Sequence, residues 1–195
     1  MSLEEAEKLF YEHGAELTQP RCRIIYTISQ PLYFSNKIRQ IVLQYFDEFE
    51  VLKNINVLDK NENLAEGYNI LKEVALKRME EHLITESALD KAIRFSGGVL
   101  SEFVRLIRRG ANTADMEGRT RIEVKDIELA IEKIRNNYIR ILSEKDYEVL
   151  RRVLRSKEKI DGGKFNKLLF SLAILEYSNG EVWYDVHPVI KGILK

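Results

Sequence analysis

The chain has 195 residues, 45% hydrophobic and 32% charged, an ordinary globular balance with enough length to bury a core in one large domain or two small ones. Its 31 lysines and arginines match 31 aspartates and glutamates, so no global field draws it to nucleic acid or a membrane, and any such contact must come from a local patch. The single cysteine, Cys22, excludes an internal disulfide and a thiolate zinc cluster and fits a reducing cytoplasm; no apolar run reaches membrane-spanning length.

Glu4 to Leu17 carries an amphipathic stripe of Ala6, Leu9, Phe10, His13 and Leu17, which predicts a helix broken by Pro20. Cys22 to Ile28 is a short apolar run, rich in isoleucine, of the kind buried in parallel sheets; it ends in polar Thr27 and Ser29 and turns at Gln30-Pro31. A helix over Asn36 to Tyr45 and a second strand over Phe49 to Leu58 follow. This series predicts a parallel α/β piece, yet two strands make a poor sheet. The segment is therefore expected to be the end of a larger doubly wound domain, or to complete its sheet by self-association.

Past a polar linker, Asp59 to Asn63, the strand signal vanishes. Glu66 to Glu81 predicts a helix with Ile70, Leu71, Val74, Ala75 and Met79 inward. Thr85 is the expected N-cap of the next helix, whose Ala88, Leu89, Ala92 and Ile93 repeat at helical spacing until Ser96-Gly97-Gly98 stops it. A third helix runs to Gly110, with Val99, Leu100, Phe103, Val104 and Ile107 on one face and Arg105, Arg108 and Arg109 near its end. Val124 to Leu142 carries an unbroken stripe from Ile127 to Ile141, and Ile122 is spaced from Ile127 as a hydrophobic staple.

Ser143 to Asp146 reads as a capping-box start for a helix presenting Tyr147, Leu150, Val153 and Leu154. A second helix from Lys164 presents Phe165, Leu168 and Leu169. Strands over Leu172 to Tyr177 and Glu181 to Val186 flank Asn179-Gly180, a two-residue hairpin signal, and their alternation predicts one buried face. Pro188 then opens a short final helix. Helices followed by a hairpin wing describe a winged-helix domain.

Catalytic equipment is sparse. No G-x-x-x-x-G-K-[ST] cradle occurs, because Gly162-Gly163-Lys164-Phe165 lacks both the earlier glycine and the following hydroxyl. Asp47-Glu48 after an apolar run reads as a helix end with an acidic loop, not as magnesium ligands. His13, His82 and His187 are scattered and stand in no metal-ligand spacing. The chain is not a self-contained enzyme.

Three features together resemble the C-terminal half of a prokaryotic AAA+-like P-loop ATPase: the strand Ile24-Ile25-Tyr26-Thr27, the helix corner Ser96-Gly97-Gly98-Val99-Leu100, and the closing run Leu175 to Pro188. The resemblance implies an α+β, mostly α fold, with the end of a nucleotide-binding core at 1–63, a helical lid at 64–142 and a winged-helix domain at 143–195. It implies no cofactor for this chain alone, while ATP and magnesium belong to the parent protein, whose P-loop part lies upstream and is the expected partner. Thr27, preferred to Ser29, takes the place of sensor 1. The sensor 2 arginine falls where this chain has Ser101, and Arg105, one turn later, is the nearest guanidinium.

Two functions compete. In one, the chain is the lid and winged helix of a switch ATPase, turning phosphate state into domain motion. In the other it is a stand-alone DNA-binding or scaffolding module. Arg151, Arg152 and Arg155, with Lys164 on the following helix, are the candidate DNA contacts, although a solvated helix face accounts equally for that basic excess. The turn at Asn179-Gly180 has no lysine or arginine to track phosphates, so weak, nonspecific binding is expected.

Overall fold

The computed structural model describes residues 3–28, 30–33, 37–46, 48–50 and 52–194. Among them the chain is mostly helical, with one two-stranded antiparallel sheet near the C-terminus, an α+β architecture dominated by α. It divides into two compact units, Met1–Leu52 and Lys53–Lys195.

In the first unit the expected long helix is interrupted. It becomes α1 (Leu3–Glu7), a π-helical turn (Lys8–Glu12) and α2 (Gly14–Leu17). The wider turn shifts the buried face. Ala6, Phe10 and Gly14 are buried, whereas Leu9 and His13, expected inside, are partly exposed. Two further helices, α3 (Gln30–Tyr33) and α4 (Ile38–Tyr45), contribute Leu32 and Ile41 to the core. The rings of Phe10, Tyr26 and Phe46 meet there at centroid distances of 6.0 to 6.4 Å.

The strands expected at 22–28 and 49–58 do not form among the described residues. Residues 23–28 have no regular secondary structure, and Tyr26 and Ile28 turn into the helical core while Ile25 and Thr27 face out. Tyr26 Oη donates to the Leu17 carbonyl at 2.8 Å. What is missing is a partner strand. A run rich in isoleucine makes a strand only where a ladder exists to pair with it, so a small helical unit replaces the parallel α/β piece. Ser29, Asn36, Asp47 and Val51 lie outside the described residues.

The second unit opens with an irregular stretch, then a closed turn in which the Asp59 carboxylate accepts from the backbone of Asn61 and Asn63, each at 2.8 Å. Helix α5 (Glu66–Leu76) stops earlier than expected, before a 3-10 turn (Glu81–Leu83), and Ile70 is exposed, not inward. Helix α6 (Glu86–Phe95) has the expected cap, Thr85, accepting from Ala88 N at 3.2 Å. Helix α7 (Leu100–Met116) runs through Gly110, because Gly110 is where α8 (Val124–Ile141) comes closest: a Cβ there would sit 2.7 Å from Ile127 Cδ1. The buried stripe of α7 is Phe103, Leu106, Gly110 and Ala114, and Leu100 and Val104 stay exposed. Before α8, Arg119 grips the fully buried Asp126 carboxylate through both Nη atoms, at 2.6 and 2.9 Å. That hydrogen-bonded guanidinium holds the Asp126 carboxyl below the usual carboxylate range.

Ser143 and Asp146 form the expected capping box of α9 (Glu144–Ser156). After α10 (Gly163–Phe170) come β1 (Ile174–Ser178) and β2 (Val182–Val186), and Pro188 starts α11 (Pro188–Lys191). Ser178 pairs with Val182, so the turn holds three residues, 179–181, not the two expected, and Gly180 supplies its positive φ of 101°. Both faces of the hairpin are covered, where one was expected. On one face Leu175, Tyr177 and Trp183 pack with Val99; on the other, Phe165 of α10 meets Tyr184 edge-on at 5.1 Å.

Two glycines separate left-handed geometry from crowding. Gly98 has φ of 75°, and a Cβ on it would collide with the Ile55 carbonyl oxygen; Gly118 has φ of 68° with open space around it. Gly118→Ala should therefore cost about 1 kcal/mol of backbone strain, and Gly98→Ala about 3 kcal/mol or more. Urea unfolding of both variants checks the difference; equal losses would show that the approach of Ile55 is not a constraint.

Candidate functional site

Ser96 is fully buried, and its Oγ donates to the Ile93 carbonyl at 2.7 Å while accepting from Gly98 N at 3.1 Å. This one hydroxyl ends α6 and starts the turn into α7. Gly97 and Gly98 are both left-handed, with φ of 61° and 75°. Ile55 N donates to the Gly98 carbonyl at 3.0 Å, and Tyr177 Oη donates to the Gly97 carbonyl at 2.6 Å. A Cβ on Gly97 would run into Leu175 and Pro188. The corner is thus enclosed by the segment before α5 on one side and by the hairpin on the other. Burial drives the Tyr177 phenol well above its ordinary range, with Asp185 adding in the same direction, so it remains a donor.

One helical turn beyond the corner, Ser101 is exposed. Arg105 is half-exposed, and its Nη1 lies 2.9 Å from Oε1 of Glu102, a carboxylate almost entirely buried. Glu102 Oε2 has no hydrogen-bond partner among the described residues. Two other buried polar groups feel this pair. Tyr138 of α8 donates to the Ser171 carbonyl at 3.1 Å; burial raises its phenol, the Glu102 charge adds to that, and Arg105 opposes it. His187, the N-cap of α11, is fully buried, accepts from Val189 N at 3.3 Å through Nδ1 and packs against the Tyr138 ring at 5.7 Å. Burial, seconded by the positive charge of Arg105, pushes its imidazole down to about 3. The imidazole is therefore neutral at ordinary pH, with Nε2 unpartnered among the described residues.

The other predicted positions are dispersed. Thr27 is exposed on the unpaired segment of the first unit, with no strand end to project from. Arg151, Arg152 and Arg155 of α9 and Lys164 of α10 are exposed, and among the described residues their charged groups make no ion pair. The exposed tip of the hairpin, residues 179–182, adds no basic group to them, and Trp183, Tyr184 and Asp185 behind it are buried. Asp185 is held by Lys157 at 2.7 Å and Lys191 at 2.8 Å, and Lys191 also reaches Glu62 at 3.0 Å. Gly162 is the N-cap and Gly163 the first residue of the eight-residue α10; both have open space around them, among the described residues no strand leads into them, and Lys164 beside them is exposed.

Sequence reading missed Glu102, Tyr138 and His187 as a group. The signal for Glu102 was its place between Val99, Phe103 and Leu106 on the face that proves buried. Among the described residues no helix is long and apolar enough to cross a membrane. No protein-family model, curated protein or solved structure matches the chain.

The depressed imidazole fixes a pH dependence. The folded state resists a proton that the unfolded chain accepts near 6.5, so this stability is complete above about pH 6.5 and is lost as pH falls toward about 3. Between about pH 6.5 and 5, where carboxylates stay ionised, unfolding free energy should fall by about 1 kcal/mol per pH unit. Urea unfolding across that window measures it, and His187→Asn should flatten the slope; an unchanged slope in that variant would assign the effect elsewhere.

Proposed function

We propose that the chain is the helical lid and winged-helix part of an AAA+-like ATPase, acting with an upstream P-loop part in a reducing cytoplasm, where exposed Cys22 stays a free thiol. One observation carries this reading: the glycine corner between α6 and α7 is bonded to the hairpin through Tyr177 and crowded by Leu175 and Pro188. Motion imposed on α7 at such a corner moves the hairpin with it, which is what a relay from phosphate state to a C-terminal module needs. Arg105 is the guanidinium for that role, and Glu102 is its resting partner until phosphate competes for it.

The experiment is expression of the whole genomic reading frame. A P-loop upstream and magnesium-dependent ATP hydrolysis are expected, with Arg105→Ala lowering kcat by about tenfold or more. Arg105→Lys keeps a charge beside Glu102 and separates lost sensing from lost stability. The 195-residue chain alone should show no saturable ATP binding in calorimetry with magnesium. A frame without a P-loop, or micromolar binding by the chain alone, would sink the proposal.

The second reading, DNA binding, is favoured by the exposed Arg151, Arg152, Arg155 and Lys164. With no lysine or arginine on the exposed hairpin tip, only phosphate contacts from α9 and α10 remain, so binding should be weak and without sequence preference. Duplex anisotropy across salt concentrations should give a log–log slope of about −3, and alanine at the three arginines should remove most of it. Tight, selective binding that survives both salt and the triple change favours a stand-alone DNA-binding protein instead.

A further inference from the structure

Helix α7 is apolar on two faces. Its inner stripe is spent on α6 and α8, but Val104, Ile107 and Ala111, at helical spacing, look away from that core. With Val74 of α5, Met79 and Leu83 they line an open groove of about 600 Å³ between α7 and the end of α5. Val104 is 40% exposed, and Leu100 extends the same stripe by one turn at 48%. Phe103 and Ala114 of the buried stripe close its base, and the groove stands whether or not the chain belongs to an ATPase.

Charge says what would cover it. Arg78, Arg108 and Arg119 line the groove against one carboxylate, Asp115. Arg119 is neutralised by Asp126 and Glu117. Arg78 and Arg108 are exposed, and among the described residues their guanidinium groups make no hydrogen bond or ion pair. An apolar trough two helical turns long, with unspent guanidiniums at its rim, matches an amphipathic helix whose polar face is acidic: leucine-like side chains at i, i+3 or i+4 and i+7 fill the trough, and flanking carboxylates meet the arginines. A purely apolar small ligand would leave the arginines unused, and a basic helix would be repelled by them.

We propose that this groove binds an acidic amphipathic helix of a partner protein, with Val104 and Ile107 as its floor and Arg78 and Arg108 as its selectivity filter. The test is fluorescence anisotropy of the full chain with two labelled synthetic helical peptides, leucine on one face of each, glutamate on the other face of the first and lysine of the second. The glutamate peptide should saturate at micromolar concentration and the lysine peptide bind at least about tenfold more weakly. Val104→Asp, at an exposed position that leaves the fold intact by circular dichroism, should weaken the glutamate peptide by about tenfold or more. Arg78→Glu with Arg108→Glu should reverse the preference. Equal binding of both peptides, no saturation by the glutamate peptide, or unchanged binding to Val104→Asp overturns the proposal. Self-association of the chain that Val104→Asp abolishes overturns it too, and gives the groove to a second copy.

Discussion

Everything in the second unit is arranged around two consecutive residues that have no side chain. Gly97 and Gly98 both take left-handed geometry, which costs an L residue about 1–2 kcal/mol at each position and glycine almost nothing. Conformational freedom is the smaller part of what they do. Their missing Cβ atoms leave room for the Ile55 carbonyl on one side and for Leu175 and Pro188 on the other, so segments distant in sequence converge on a single turn. The direction of α7 follows from that turn, and with it the burial of Glu102. The docking of the hairpin follows too, through Tyr177.

The neutral overall charge conceals a strong segregation. Asp126, Asp146 and Asp185 are buried, and each is answered by an adjacent donor: Arg119, the cap of Ser143, and the two lysines at 157 and 191. Such groups contribute little net stability against an apolar core of the same shape, but removing one partner leaves a desolvated charge and costs about 3–5 kcal/mol. They act mainly as registration points. The arginines of α7 and α9 show the opposite pattern, exposed and for the most part uncommitted, which is where a binding surface can be sought.

Much of this fold could be read from the residues, wherever local chemistry settled the outcome. Thr85, the Ser143 capping box, the stripe of α8 from Ile127 to Tyr138 and the glycine stop after α6 are local devices, and each stands where expected, while Ile141 at the end of that stripe is exposed. The errors are places where a distant partner decides. The isoleucine-rich run at 23–28 carries strand propensity but no ladder, so its alternation survives as packing in a helical core. On α7 two apolar stripes run side by side, and sequence cannot say which one the core takes; the expected face, with Leu100, Val104 and Ile107, proved to be mostly the outer one. Val182 to Val186 looked half-buried because nothing local announces that the glycine corner covers one face and α10 the other. The polar group of Glu102, Tyr138 and His187 was out of reach for the same reason. Its members come from three elements, joined only by packing.

A two-stranded sheet would ordinarily leave two rows of unpaired backbone groups open to any passing chain. Here side chains and a helix end stand in for the missing strands. Asn54 and Asn56 reach the carbonyls of Glu176 and Ser178, at 3.1 and 2.8 Å, with the same two-residue step along both segments. Across the hairpin, Tyr184 N donates to the carbonyl of Lys157 at 2.9 Å, offered by the left-handed residue that closes α9. Both borders of the sheet are thereby blunted against strand addition and against the edge-to-edge stacking that seeds aggregates. A partner arriving at this end of the molecule meets side chains first, because the main-chain groups of Glu176, Ser178 and Tyr184 that point outward are already bonded.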